Sequence, residues 1–149
     1  MTAPIHTTQN WKPDQYDMVI DVRSPSEFAD DHIEGAVNLP VLSDDERAVV
    51  GKLYKQTSAF AARKTGAATM SRNIAQHLET LLKDKPADFR PLIHCWRGGQ
   101  RSRAFALVLS EIGWTTHLLK GGYKAYRRGV LDKIKFLPER LQLIIIAGR

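Results

Sequence analysis

The stretch His94-Cys95-Trp96-Arg97-Gly98-Gly99-Gln100-Arg101-Ser102 gathers a nucleophile, two cations and two adjacent glycines into nine residues. A thiol attacks only as the thiolate, and positive charge with inward N–H groups favours that form. Gly98 and Gly99 let backbone N–H groups turn inward without a steric penalty. Successive inward N–H groups at a helix N-terminus form an anion cradle. Arg97 and Arg101 add full positive charge, in a geometry that suits a tetrahedral oxyanion. A lone cysteine is most often an inert core side chain. The glycines and arginines that follow Cys95 have no purpose behind an inert thiol, so the expectation is a nucleophile held by a loop from Trp96 to Arg101.

Other chemistry is sparse. The histidines stand at 6, 32, 77, 94 and 117, none paired at helical metal-ligand spacing, and there is no second cysteine. Neither a metal nor a bound cofactor is expected, and no internal disulfide is possible. His94 precedes Cys95 on a strand and should point to the opposite side.

The elements that must position this loop can be read from pattern. MVIDV (18–22) and PLIHC (91–95) read as short buried strands, AVNL (36–39) and TTHLL (115–119) as two more. Ser24, Pro25 and Glu27 make a capping box that starts a helix to about Asp31. Ser43 with Glu46 repeats the spacing and starts a second helix, to about Gln56. Residues 57–84 read as helix-rich, with Ile74, Ala75, Leu78, Leu81 and Leu82 on one stripe. A helix from Arg101 carries Phe105, Val108, Leu109 and Ile112, and Gly113 ends it. After the Gly121-Gly122 turn comes a basic helix over 123–134, then a last apolar strand over 141–148. Strands alternating with helices predict an α/β fold with a mostly parallel sheet and helices on both faces. In such sheets ligands sit beyond the carboxyl ends of the strands, where Cys95 falls.

With 149 residues, 43% hydrophobic and 26% charged, the composition excludes collagen, coiled coil and wholesale disorder. No apolar run is long enough to span a membrane and no leader pattern opens the chain, so a cytoplasmic setting is expected. The net charge of +6 hides a gradient: −7 over residues 1–50, +5 over 51–93 and +8 over 94–149. The basic back half fits a partner rich in phosphate.

Cys-x5-Arg after a histidine, HCxxGxxR[ST], resembles the signature of cysteine-dependent phosphatases, and the same loop heads the active site of rhodanese-like sulfurtransferases. The flanks favour the second. DVRSPSEFADDHIEGAVNLP (21–40) resembles the N-terminal rhodanese signature, with Asp21, Arg23, Glu27, Phe28, His32, Ile33, Gly35, Ala36, Asn38, Leu39 and Pro40 all fitting. KGGYKAYR (120–127) resembles the second signature, whose glycine pair packs behind the active loop. CWRGGQRS, the insert GKLYKQTSAFAARKTGAA (51–68) and GGYKAYRRGV (121–130) resemble one rhodanese subfamily, the tRNA 2-selenouridine synthases.

That resemblance implies replacement of sulfur by selenium in wobble 2-thiouridine, by way of a geranylated thiouridine. Selenophosphate and geranyl diphosphate would be co-substrates and tRNA the partner. It makes Cys95 the chalcogen carrier. Trp96 would shield the loop, stack on a base or simply pack. Asp21 and Arg23 would pair to hold the first strand end, and His32 would take a packing or hydrogen-bonding role. Lys120, Lys124, Arg127 and Arg128, interleaved with Tyr123 and Tyr126, form a candidate tRNA patch; Lys52, Lys55, Arg63 and Lys64 are weaker candidates. The expected organisation is a rhodanese-like domain over 1–137, then a linker and the first strand of a truncated P-loop domain over 138–149. The alternatives are a rhodanese-fold phosphatase, for which Asp84 and Asp88 are the nearest general acids to hand, and a non-catalytic binding module.

Overall fold

The computed structural model describes residues 2–137. In chain order they form β1 (Ile5–Thr8), β2 (Met18–Asp21), α1 (Pro25–Asp30), β3 (Val37–Asn38), α2 (Asp44–Gln56), α3 (Ala59–Glu79), β4 (Pro91–His94), α4 (Gln100–Ile112), β5 (Thr116–Leu119) and α5 (Gly122–Phe136), with a 3-10 turn at Pro13–Gln15. The five strands make one wholly parallel sheet in the order β1-β5-β4-β2-β3. β4 is therefore central, and Cys95 follows it at its carboxyl end.

The apolar strands are covered on both faces, which is why they read as continuous runs. Successive side chains alternate between two cores. Ile20 and Ile93 enter the larger one, with Phe105 and Leu109 of α4, Ile74 of α3 and Trp114. Val19 and Leu92 enter the smaller one, with Ile33 and with Tyr123 of α5. Phe105 and Leu109 are fully buried, and each contributes roughly 1.5–3 kcal/mol by leaving water. Alternation continues past the end of β4: His94 turns toward Tyr123, and Cys95 joins the larger core.

Several expected boundaries move. β1 was not foreseen; its residues are mostly exposed at the sheet edge, so IHTT carries no apolar pattern. The strand expected over 36–39 shortens to Val37–Asn38; the Leu39 N–H makes the ladder bond to the Asp21 carbonyl beside the Asp21–Asn38 pair, and Pro40, which has no N–H, follows. The strand expected over 115–119 begins at Thr116. α3 ends at Glu79, not near residue 84: the Leu82 N–H bonds to the His77 carbonyl in a turn. That turn buries Leu82 and leaves Leu81 exposed, and Ala75 on α3 is exposed as well, so the stripe read over 74–82 is not one face. The strand expected over 141–148 and the LPER linker lie outside the described residues, apart from Leu137.

Candidate active site

Gly99 caps α4, whose first turn faces the end of β4, so the chain from Cys95 to Gln100 wraps around the thiol. Cys95 is buried, at 3% exposure. Its Sγ accepts the Gly99 N–H at 3.3 Å and lies 3.3 Å from the Ser102 hydroxyl. That hydroxyl is also 3.2 Å from the Gly99 carbonyl, so it can donate there while the thiol is protonated and donate to sulfur once it is not. Burial pushes the Cys95 thiol up. The Ser102 hydroxyl and N–H, the Arg101 charge and the Gly99 N–H outweigh it, and the thiol lies below its ordinary range. A lowered thiol favours the thiolate, the nucleophilic form.

The loop is pinned from behind by α5. The Tyr123 N–H donates to the Cys95 carbonyl at 2.9 Å and the Lys124 N–H to the Trp96 carbonyl at 3.0 Å. This approach requires glycine. Gly122 has φ +61°, and a Cβ there would collide with the Cys95 carbonyl oxygen and stand 2.6 Å from the Gly98 nitrogen. Gly98 itself has φ +70°, with its missing Cβ facing the Leu119 carbonyl at 3.0 Å.

Arg101 does not present a free charge. Its guanidinium donates to Glu27 at 2.7 and 3.4 Å through Nη1 and Nη2, and Nε has no partner among the described residues. Glu27 also accepts the Ser24 N–H and hydroxyl and pairs with Arg47 at 3.3 Å. The capping box of α1 is thus also the hub that ties α1, α2 and α4. Burial raises the Glu27 carboxyl, but Arg101, Ser24 and Arg47 hold it below the usual range. Arg97, by contrast, is exposed at the loop, and Gln100 is exposed at the start of α4.

Asp21 and Arg23 form a buried pair below the loop. The Arg23 Nε and Nη2 donate to both Asp21 oxygens, and Nη2 also reaches the Asp31 carbonyl at 2.7 Å. The guanidinium lies 3.9 Å above the Tyr123 ring, whose hydroxyl bonds to the Asp31 carboxylate. Burial and Asp31 push the Tyr123 hydroxyl up to about 12. Trp96 packs on Tyr123 with ring centres 5.7 Å apart. His94 is fully buried, 3.9 Å from Asp21, with no hydrogen-bond partner on either ring nitrogen among the described residues. Burial lowers it to about 4, so it is neutral at physiological pH. His32 is exposed, stacked on Phe28 and bonded to the Phe28 carbonyl.

The expected basic patch flanks the loop, with the Lys124 N–H bonded to the Trp96 carbonyl. Lys120, Lys124, Arg127 and Arg128 are all exposed at β5 and α5, and Arg127 is 3.8 Å from Asp31. Asp84 and Asp88 precede β4 at the end opposite Cys95, a strand length of roughly 13 Å away. Neither can serve as an acid at the loop. Among the described residues no cluster of His, Cys, Asp and Glu could hold a metal, and no helix is long and apolar enough to cross a membrane.

Two features of the site escaped sequence reading. Ser102 stood in the motif, but its hydroxyl's contact with sulfur follows from the helical turn that brings position 102 back over Cys95. The Glu27–Arg101 pair spans 74 residues and left no local signal beyond the capping box.

Comparison with known proteins gives this geometry a lineage. A tRNA 2-selenouridine synthase of Nitrosomonas europaea is 39% identical over 131 residues, covering 87% of this chain and 34% of the relative. One from Bdellovibrio bacteriovorus is 39% identical over 148 residues, covering 94% and 39%. The chain thus spans little more than a third of the length of these relatives. Among solved structures, an N-terminal domain from Clostridium difficile 630, of a protein titled for ATP/GTP binding, superposes with TM-score 0.64 at 34% identity, covering 76% of this chain and 88% of that one. A protein of Bacillus anthracis, reduced CoADR-RHD, shares the fold at TM-score 0.53 and 22% identity, over 86% of this chain and 17% of that one. The rhodanese-like domain family matches residues 6–128, and the chain belongs to it.

Proposed function

We propose that the chain is the chalcogen-handling domain of a tRNA 2-selenouridine synthase, a transferase in which Cys95 is the nucleophile. The carrying observation is the buried Cys95 sulfur, on which the Gly99 N–H and the Ser102 hydroxyl converge and whose pKa they and Arg101 lower. The names of the curated relatives supply the substrate class. Selenophosphate is the donor in this reading, with its tetrahedral oxyanion against the exposed Arg97 and the Trp96–Gln100 backbone. Wobble 2-thiouridine, by way of its geranyl derivative made from geranyl diphosphate, is the acceptor. The proposed organisation is a rhodanese-like unit over 1–137 leading at 138–149 into a P-loop domain. The name of the Clostridium difficile protein, whose N-terminal domain matches here, supports that order. A cytoplasmic setting follows from tRNA as partner.

With a sulfane donor such as thiosulfate the first step balances simply. A lone pair of the Cys95 thiolate forms a bond to the outer sulfur, the donor S–S bond breaks, and sulfite leaves with its electron pair. The enzyme then carries a persulfide whose inner sulfur, the Cys95 Sγ, lies beside the Gly99 N–H and the Ser102 hydroxyl.

The phosphatase reading lacks a free acid: Asp84 and Asp88 stand at the other end of β4, and Glu27 is engaged by Arg101 and Arg47. The test is the intact mass of the chain after anaerobic incubation with selenophosphate, and separately with thiosulfate, beside Cys95→Ser. A gain of one selenium or one sulfur that depends on Cys95 is expected. No adduct, with cysteine-dependent hydrolysis of an aryl phosphate instead, would overturn the reading.

A further inference from the structure

A second concavity adjoins the loop and is not used by the chemistry above. It is a groove of about 890 Å³ between α3, α4 and the ends of β1 and β5, and it opens on Gly98 and Gln100 of the loop. Its rim carries Arg63 of α3, Arg103 of α4 and Lys120 after β5. No aspartate or glutamate lines it. All three cations are exposed, and none takes part in an ion pair among the described residues. That sets them apart from Arg47, Arg101 and Arg127, each of which has a carboxylate within 4 Å. The floor is apolar, with Met70, Leu118 and Leu107; Leu107 is 55% exposed although it is a large aliphatic side chain.

We propose that this groove seats the RNA strand that carries the target nucleotide, with Arg63, Arg103 and Lys120 holding its phosphodiesters beside the Cys95 loop. The inference rests on the tRNA reading above and says where the RNA runs. Three uncompensated cations around a concave surface match a chain of regularly spaced anions. The apolar floor matches the ribose and base faces that such a strand turns away from its phosphates. The groove is continuous with Gly98, three residues after the nucleophile, so a strand lying in it delivers a nucleotide to the loop. Arg63 and Ala67, which form one wall, come from the 51–68 segment that the sequence singled out. Arg103 was not among the candidate RNA contacts read from sequence. It sits two residues after Arg101, so α4 turns one arginine to Glu27 and the other to the groove.

The test is fluorescence anisotropy of a labelled tRNA anticodon stem-loop titrated with the full chain over a range of salt. Arg63→Glu, Arg103→Glu and Lys120→Glu are compared with Lys83→Glu, an exposed residue in the turn before β4 at the far end of the sheet. Circular dichroism confirms that each variant is folded. Each groove reversal should weaken binding at least about tenfold at low salt and reduce the salt slope by roughly 0.7, the loss of one single-strand phosphate contact. Lys83→Glu should leave both unchanged. Groove variants that bind like the parent would overturn the proposal, including the case in which reversals at Lys124 and Arg128 abolish binding and place the RNA on α5. Polyglutamate bound as tightly as the stem-loop, through the same three residues, would make the occupant an acidic polypeptide and overturn it as well. Failure of the parent chain to bind the stem-loop at low salt would also overturn it. The Cys95 mass experiment reads out independently of all these, so the parent reading stands or falls by itself.

Discussion

Gly122→Ala should be among the most damaging single-methyl additions available in this fold. Two effects act together. The residue holds φ +61°, and an L side chain in that left-handed conformation costs about 1–2 kcal/mol. The new Cβ also falls on the Cys95 carbonyl oxygen and 2.6 Å from the Gly98 nitrogen, both backbone atoms that cannot swing aside. The loop and the start of α5 must separate. That loses the Tyr123 N–H bond to Cys95 and the Lys124 N–H bond to Trp96, at about 1 kcal/mol each. The sum is about 3–4 kcal/mol, or roughly 10–15 °C in Tm for a domain of this size. Gly129→Ala is the internal control. It lies in the same helix, where a Cβ meets nothing, so alanine should stabilise by about 0.5–1 kcal/mol. Thermal unfolding followed by circular dichroism measures both, and the alkylation rate of Cys95 follows the loop. A Gly122→Ala protein that melts within about 3 °C of the parent, under 1 kcal/mol on the same scale, would refute the claim that backbone contact with α5 holds the loop.

Three further outcomes are expected. Ser102→Ala removes the hydroxyl facing sulfur, so alkylation of Cys95 below its pH midpoint should slow by about tenfold, the equivalent of ~1.4 kcal/mol; Ser102→Thr should restore it, and iodoacetamide rates against pH decide. His94 is neutral in the fold down to about pH 4 but takes a proton at 6.5 when unfolded, so the unfolded state binds more protons in that window. Stability should therefore rise with pH from about 4 to 6.5, by about 3 kcal/mol attributable to His94. Urea titrations across that range should show His94→Gln flattened by this amount. Glu27 has its folded carboxyl held low, so its contribution is present above the ordinary glutamate range and is lost as pH falls through the folded value. Glu27→Gln should lower stability above the ordinary glutamate range and remove this acid-side loss, so its stability profile flattens, and acid titration of the unfolding midpoint reads it directly.

What sequence could show here was local. The strand ends, both capping boxes and the loop from Cys95 to Arg101 are encoded within a few residues, and the fold follows from alternation of buried strands with helices. What it could not show depends on contacts across the sheet. β1 is recognisable only once β5 lies beside it, since Ile5 through Thr8 pair with Thr116 through Leu119 and bury little of their own. α3 ends early because the Leu82 side chain is drawn into the core by a turn, an override that no apolar count over 74–82 reveals. Likewise the charge of Arg101 was legible, but its destination was not.

That destination bears on which chemistry the loop can perform. In the phosphatase-like motif the arginine after Cys-x5 is read as a phosphate ligand. Here Glu27 occupies that guanidinium at 2.7 Å and is itself only 15% exposed. To release Arg101 to an anion would leave a half-buried carboxylate with Arg47 alone, a desolvated charge short of its partner. Arg101 thus lowers the Cys95 thiol through its charge and fixes α4 through Glu27, with its Nε–H unpaired among the described residues. The loop N–H groups and the exposed Arg97 are the other donors open to an oxyanion. A thiol lowered below its ordinary range, beside an arginine already paired with Glu27, suits the proposed site that keeps the chalcogen and releases the anion. It does not suit one that must hold a phosphoryl group in line for hydrolysis.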